Sequence, residues 1–330
     1  MTKITMAHGS GGRATGELIE EIFAQAFDNE TLSQMEDAAV VQGAGKIAVT
    51  TDSFVVTPLE FPGGDIGRLC ICGTVNDLLM RGAIPKYLTC GFILEEGAEI
   101  DVLRRIASSM AETAAEADVE IIAGDTKVIE GNGGIYINTT GVGFVPEDVD
   151  IRADLAKPGD VILVSGNLGD HHATILSQRM EITNSMESDN APLVEMVSRL
   201  LAEKINVHVL RDVTRGGLAT VLKELAVSSG HLFEIREESL PVSAQVRDFC
   251  GLLGLDPLYM GNEGKLVAIV APEDADRALE IMKSSKYGQA AVRIGEVCEA
   301  DGDGRLVLKT RIGGRRILEE LQGEGLPRIC

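Results

Sequence analysis

Five short acidic motifs punctuate the chain: Glu36-Asp37-Ala38-Ala39, Thr51-Asp52-Ser53, Asn76-Asp77, Gly124-Asp125-Thr126-Lys127 and Asp212-Val213-Thr214-Arg215-Gly216-Gly217. Asp37, Asp52 and Asp125 each adjoin an apolar, strand-like run, where a loop is expected to begin. A carboxylate at a strand end can point into a cleft and bind a hard cation through oxygen. Each one taken singly reads as a turn or cap residue. Several together point toward a magnesium–nucleotide site. Glycine-rich segments supply the other half of such a site. His8-Gly9-Ser10-Gly11-Gly12-Arg13 comes just before a helical pattern, so backbone N–H groups and the helix N-terminus would face an anion. It is neither a Walker A loop nor a GxGxxG turn after a strand. Thr214-Arg215-Gly216-Gly217 is a second, weaker anion-site candidate.

Four further residues could move protons or carry a group. Lys127 either neutralises phosphate or pairs with Asp125. Glu263 lies in Met260-Gly261-Asn262-Glu263-Gly264-Lys265, where flanking glycines suggest a tight turn presenting a general base. His171, after Leu168-Gly169-Asp170, is a proton shuttle or a structural helix-start residue. Cys330 is the last residue. A terminal thiol on a mobile arm can visit both an internal site and a partner protein. Its neighbouring α-carboxylate raises rather than lowers the thiol pKa, so it needs a base or an activated donor.

The elements that must position these groups are legible in outline. Residues 13–27, 101–117, 192–204 and 217–228 follow the 3.6-residue period of amphipathic helices. Strand-like runs cover residues 46–51, 86–94, 119–123 and 134–144, then 161–165, 207–210, 265–271, 291–294 and 305–309. Strands and helices mix in both halves, which gives an α/β or α+β protein. A boundary is expected within residues 145–158, where an acidic stretch and Lys157-Pro158-Gly159-Asp160 interrupt the pattern. The expected units are residues 1–150, residues 151–318 and a tail of residues 319–330. Residues 315–322 read as helical, and Gly323, Gly325 and Pro327 loosen the last eight residues into an arm.

Composition narrows the class. The chain has 330 residues, a net charge of −21 and only 4% aromatic residues, with no Trp. Its core is therefore built from Ala, Val, Ile and Leu. The acidic balance argues against nucleic acid or an anionic membrane as a partner. No run approaches the length of a spanning helix, and no secretory leader is evident, so a cytoplasmic protein is expected. The six cysteines include no CxxC pair, which argues against structural zinc.

Taken in order, His8-Gly9-Ser10-Gly11-Gly12, Thr51-Asp52-Ser53-Phe54, Phe61-Pro62-Gly63-Gly64-Asp65-Ile66-Gly67, Gly73-Thr74-Val75-Asn76-Asp77, Phe92-Ile93-Leu94-Glu95-Glu96-Gly97, Gly124-Asp125-Thr126-Lys127, Asn262-Glu263-Gly264 and Pro327-Arg328-Ile329-Cys330 resemble the [NiFe]-hydrogenase maturation family HypE. The match runs the length of the chain. The aspartate motifs are shared more widely, with aminoimidazole ribonucleotide synthetase and selenophosphate synthetase. The resemblance implies a two-domain PurM-like fold whose N-terminal domain forms a strand barrel across a homodimer. It implies ATP held through Mg2+ near Asp37, Asp52, Asp77, Asp125 and Asp212. Gly9, Ser10, Gly11 and Gly12 would close over the phosphates, with Asn76, Thr126, Lys127 and Arg215 also at the nucleotide. The implied activity is cyanide synthesis: HypF carbamoylates Cys330, ATP-dependent dehydration leaves an S-cyanated cysteine, and the cyano group passes to iron on HypC–HypD. Glu263 would take a proton and Lys127 would steady the phosphates or the transferred group.

Two departures stand out: Asp170-His171-His172 where Asp-His-Gly is usual, and Glu36-Asp37 for an Asp-Asp pair. Two rival readings remain open at this level. A superfamily synthetase acting on a free small molecule would survive loss of its last residues. A non-enzymatic thiol carrier would hydrolyse no ATP.

Overall fold

Long β-branched runs broken by short turns form two large sheets among the described residues; the computed structural model describes residues 3–9, 17–32, 41–43, 45–299 and 303–321. The first sheet contains β1 (Lys46–Phe54), β4 (Ile84–Glu95), β5 (Glu120–Ile129) and β6 (Ile135–Val145), in the order β1-β6-β4-β5. A small hairpin of β2 (Glu60–Phe61) and β3 (Gly64–Asp65) leads into α1 (Ile66–Leu79). The parallel pair β4–β5 requires a crossover, and α2 (Ile100–Glu116) supplies it.

The second sheet has seven strands, ordered β13-β12-β9-β11-β7-β10-β8. They are β7 (Val161–Val164), β8 (Val207–Asp212), β9 (Leu232–Arg236), β10 (Leu266–Val270), β11 (Val292–Cys298), β12 (Arg305–Lys309) and β13 (Arg315–Leu318). Five helices accompany it: α3 (Asp170–Arg179), α4 (Val194–Ala202), α5 (Gly217–Ser229), α6 (Ala244–Leu253) and α7 (Ala275–Ser284). Strands β7 and β10 are buried along their whole length, so both faces are apolar and their sequences show no alternation. Among the described residues no helix is long and apolar enough to cross a membrane.

Two expectations are corrected. Residues 315–318 form a strand, not the start of a helix. A turn closed by Gly314 N–H donating to Thr310 Oγ1 sends the chain back onto β12, and only Leu318 of the four is buried. Edge pairing and one buried leucine outweigh a weak helical period. The second correction is α1, which periodicity passed over. It is buried almost all round, from Ile66 and Leu69 to Leu78 and Leu79, and a helix apolar on every side shows no stripe. Asp65 caps it, its carboxylate accepting from Gly67 N at 2.7 Å and Arg68 N at 3.0 Å.

One apolar core runs through both halves, from Phe54, Leu79 and Leu88 to Leu163, Leu193 and Ala268. Polar groups pin its edge. Asn76 Nδ2 donates to Ala191 O at 3.0 Å and Asn76 Oδ1 accepts from Leu193 N at 2.9 Å. Arg68 donates to Asn190 O and to Glu116, and Glu116 also takes hydrogen bonds from Lys286 and Tyr287. Burial pushes the Glu116 carboxyl up, but the bonds from Lys286, Tyr287 and Arg68 outweigh it and hold the group at about 2. A carboxyl depressed in the folded state adds stability above its unfolded value and loses it as pH falls toward the folded one. Glu116→Gln is therefore expected to cost roughly 1–2 kcal/mol at neutral pH, allowing for partial exposure. Thermal melts of both proteins should converge as pH falls from 4.5 toward about 2; a gap constant with pH would contradict the assignment.

Candidate functional site

Strand β1 and helix α1 bring the first two acidic groups together because a glycine lets them touch. A Cβ on Gly73 would stand 2.9 Å from the Phe54 ring and 4.0 Å from Asp52 Oδ2. Without it β1 lies directly on α1, and the Asp52 carboxylate comes to rest one helical turn from Asp77. Asp77 Oδ2 accepts from Thr50 Oγ1 at 2.8 Å. Asp212 ends β8, opposite Leu266 of β10, and Thr214 hydrogen-bonds its carboxyl. Glu263, 5% exposed, precedes β10 in the turn at residues 262–264.

These four carboxyl groups feel one another. Burial raises Glu263 well above the ordinary carboxylate range, and Asp212, Asp189, Asp52 and Asp77 add to the rise. Asp212 is pushed up to about 6, by burial first and then by Asp77. Asp77 is raised by burial and by Asp52, against the bond from Thr50. Asp52 is raised by desolvation, with the Ser53 N–H and the Arg215 charge acting the other way. Crowded carboxylates of this kind suit a hard divalent cation, which relieves their repulsion and binds through oxygen. Among the described residues no three acidic, His or Cys side chains close into a ready-made metal cage. The donor set therefore fits an ion that brings other ligands, such as phosphate oxygens, with it. Arg215 precedes Gly216 and Gly217, whose φ values of 83° and 66° open α5.

Several expected residues lie elsewhere. Asp52 and Asp125 sit inside strands, not at their ends, because β1 and β5 run several residues past their apolar stretches. On β5, Gly124 and Thr126 pair with the buried Cys90 and Phe92, whereas Asp125 and Lys127 pair with Gly91 and Ile93. Directly opposed residues share a face. Asp125 and Lys127 therefore project from the face of the sheet opposite to Asp52, where they form an exposed ion pair at 2.8 Å. Lys127 holds the Asp125 carboxyl below its usual range. Of the two readings of Lys127, pairing with the aspartate describes the single chain.

Asn76 uses its amide to hold residues 191–193, so its observed contacts join the two halves. His171 is wholly buried, with Nδ1 2.7 Å from Ser188 Oγ and its ring edge-on to Phe61. That setting agrees with the structural alternative for His171. Gly9 ends a short turn, Met6–Gly9, while Ser10, Gly11, Gly12, Asp37 and Cys330 lie outside the described residues. Sequence reasoning missed Asp189, which is buried 3.2 Å from Lys265. It belongs to an irregular stretch without periodicity, and its one signal is Gly264, whose missing side chain leaves room for the Asp189 backbone. A polar cavity of about 490 Å³, lined by Arg68, Asp170, Asp189, Lys265 and Tyr287 among others, opens beside this ion pair.

Comparison with known proteins fits this architecture. Residues 35–145 match the AIR synthase related protein N-terminal domain, and residues 157–307 match the AIR synthase related protein C-terminal domain. The chain is 51% identical to carbamoyl dehydratase HypE of Cupriavidus necator, over 99% of this chain and 95% of that protein. It superposes on a crystal structure of hydrogenase maturation protein HypE in complex with ATP with a TM-score of 0.95 at 46% identity, covering 98% of this chain and 99% of that one. A HypE–HypF complex gives 0.81 at 48% identity, covering 92% and 99%. With its two-domain α/β fold and its likeness along nearly its whole length, the chain belongs to the HypE family of carbamoyl dehydratases, proteins of hydrogenase maturation.

Proposed function

We propose that this protein uses ATP and Mg2+ to dehydrate a carbamoyl group carried on its own Cys330, and then donates cyanide to the iron of a hydrogenase centre. The observation that carries the reading is Glu263, buried in the turn before β10, with its carboxyl raised by the charges of Asp212, Asp52 and Asp77 as well as by burial. The relative solved with ATP supports the nucleotide, and the HypE–HypF complex supports HypF as the carbamoyl donor. HypC–HypD is the proposed iron-bearing acceptor, and the cytoplasm the proposed location. The proposed units remain residues 1–150, residues 151–318 and the tail, 319–330.

Asp52, Asp77 and Asp212, joined by Asp37, would hold the metal. Gly9, Ser10, Gly11, Gly12 and Arg215 would hold the phosphates. Bound there, Mg-ATP supplies the phosphoryl group that converts the carbamoyl oxygen into a leaving group. The sulfur–carbon bond is kept. The carbon–oxygen bond breaks, its oxygen departing with phosphate, and nitrogen loses two protons as the triple bond forms. One proton ends on phosphate and one goes to Glu263. A carboxylate whose protonated form is favoured by burial is the stronger base for that step.

A homodimer completes this reading. The sheet face carrying Asp125 and Lys127 also exposes Ile47, Val49 and Ile93, with Val49 65% accessible. Exposed apolar residues gathered on one sheet face favour a covering partner. A second copy there would hide them, and its Asp125 and Lys127, on the edge strand β5, would reach across to the first copy's nucleotide.

Three outcomes are expected. Mass spectrometry of the C-terminal peptide, after incubation with HypF, carbamoyl phosphate and ATP, should show Cys330 gaining a carbamoyl group. That adduct should lose one water only when ATP is present. Cys330→Ala should gain nothing, and an ATP-independent second step would defeat the proposal. Lys127→Ala and Glu263→Gln chains should each be inactive alone yet regain activity in mixed dimers, because one site then keeps both residues; no recovery would mean that each chain builds its own site. Finally, Asp212 has a folded value of about 6, above its unfolded 3.8, so its charge destabilises the fold increasingly as pH rises between those values. Asp212→Asn should stabilise the nucleotide-free protein by roughly 1–2 kcal/mol at neutral pH. The advantage should vanish on acidification, and Mg-ATP should raise the melting temperature of wild type only.

A further inference from the structure

Residues 182–193 carry no helix or strand, yet Met186, Ser188, Asn190, Ala191 and Leu193 are buried. A buried irregular stretch of this length must have its polar groups satisfied by specific partners. It is clamped on both sides. Towards the first sheet, Ser188 N donates to Pro62 O at 2.9 Å, Arg68 Nε to Asn190 O at 3.0 Å, and Asn76 holds Ala191 and Leu193. Towards the second sheet, His171 meets Ser188 Oγ at 2.7 Å and Ala191 N donates to Glu263 O at 3.5 Å, and the side-chain contacts to residues 262–265 centre on Asp189. Its Oδ1 accepts from Glu263 N at 3.1 Å; its Oδ2 accepts from Asn262 Nδ2 at 2.8 Å and lies 3.2 Å from Lys265 Nζ.

Three donors on two oxygens call for a carboxylate, since an amide in its place offers one oxygen and adds a competing donor. Lys265 supplies the opposite charge that makes burial of Asp189 tolerable. The turn is also tied below: Asn262 N donates to Val213 O at 2.9 Å, and Asn262 Oδ1 accepts from Gly169 N at 3.1 Å. Gly264 has no room for a side chain, because a Cβ there would fall 1.9 Å from Asp189 O and 2.8 Å from Ala191 N. The glycine of Asn262-Glu263-Gly264 therefore exists to let the irregular stretch lie on the turn.

We propose that Asp189 is a positioning residue for Glu263: its buried carboxylate, countered by Lys265, holds the 262–264 turn against α1 and so fixes where the base stands relative to Asp77 and Asp212. This rests on the reading of Glu263 as the base. Asp189 acts through geometry. It sets position, and proton transfer in a closed site is lost steeply with misplacement of about 1 Å.

The test uses full-length protein carbamoylated on Cys330, with single-turnover dehydration followed across pH in wild type, Asp189→Asn, Glu263→Gln and Glu116→Gln. Asp189→Asn should slow the dehydration step about 10- to 100-fold, with the ATP KM changed by less than about 3-fold and carbamoylation by HypF intact. Glu116→Gln loosens the contacts of Arg68, Lys286 and Tyr287 without touching the turn, so its dehydration rate should stay within about 3-fold of wild type. Where the single variant folds poorly, Asp189→Asn/Lys265→Met removes the buried pair together, and the slow step should persist. If Glu263→Gln is inactive while Asp189→Asn keeps the wild-type rate and profile, the inference falls alone. If Glu263→Gln still dehydrates, the base reading falls and takes the inference with it. A rate lost only in proportion to unfolded protein or to weaker ATP binding would also overturn it.

Discussion

Like charges held close together are what this structure is organised around. Asp52, Asp77, Asp212 and Glu263 come from four separate stretches of chain; Asp52 makes Asp77 harder to ionise, Asp77 does the same to Asp212, and all three do so to Glu263. No fold gains stability from such an arrangement taken alone. The apolar core beneath must hold it, and it does so by running without a break from Phe54 and Leu88 to Leu163 and Ala268. The repulsion left over is the free energy that a divalent cation with phosphate ligands can relieve on binding.

Holding the groups there depends on backbone approaching backbone. Gly73 allows β1 to lie on α1, and Gly264 allows residues 189–191 to lie on the turn of Glu263. A methyl group at either place would separate the acidic residues by displacing the elements that carry them. Helix α1 is the shared part. One of its faces meets Asp52 and bears Asp77; the next carries Arg68 and Asn76, which grip residues 190–193. Position is thus passed from the first sheet to Glu263 through short hydrogen bonds, with little contribution from exposed ion pairs.

Much of the fold was legible because its elements are amphipathic. The helices near residues 101–117, 192–204 and 217–228 have one apolar stripe, and the structure has helices at Ile100–Glu116, Val194–Ala202 and Gly217–Ser229. Helix α1 and strands β9 and β13 were not legible as such. The first is apolar on all sides, and the strands are short and take their identity from neighbours. Of the candidate site, the acidic and glycine motifs were visible as types in order. The side on which each faces was not: Asp125 follows Gly124 just as Asp52 follows Thr51, yet they emerge on opposite faces of one sheet.

The amino-acid sequence by itself pointed to a metal–nucleotide chemistry, since carboxylates and glycines are properties of residue type and survive without coordinates. It also determined the family, through motifs that keep their order along the chain. Only the tertiary structure decided which carboxylates crowd together, that His171 and Asn76 are used inside the protein, and that Asp189 anchors the turn of Glu263. The physical reason is separation along the chain. Asp189 and Glu263, or Asp77 and Asp212, meet through contacts between distant segments, and no local period or spacing encodes the burial and charge that such contacts create.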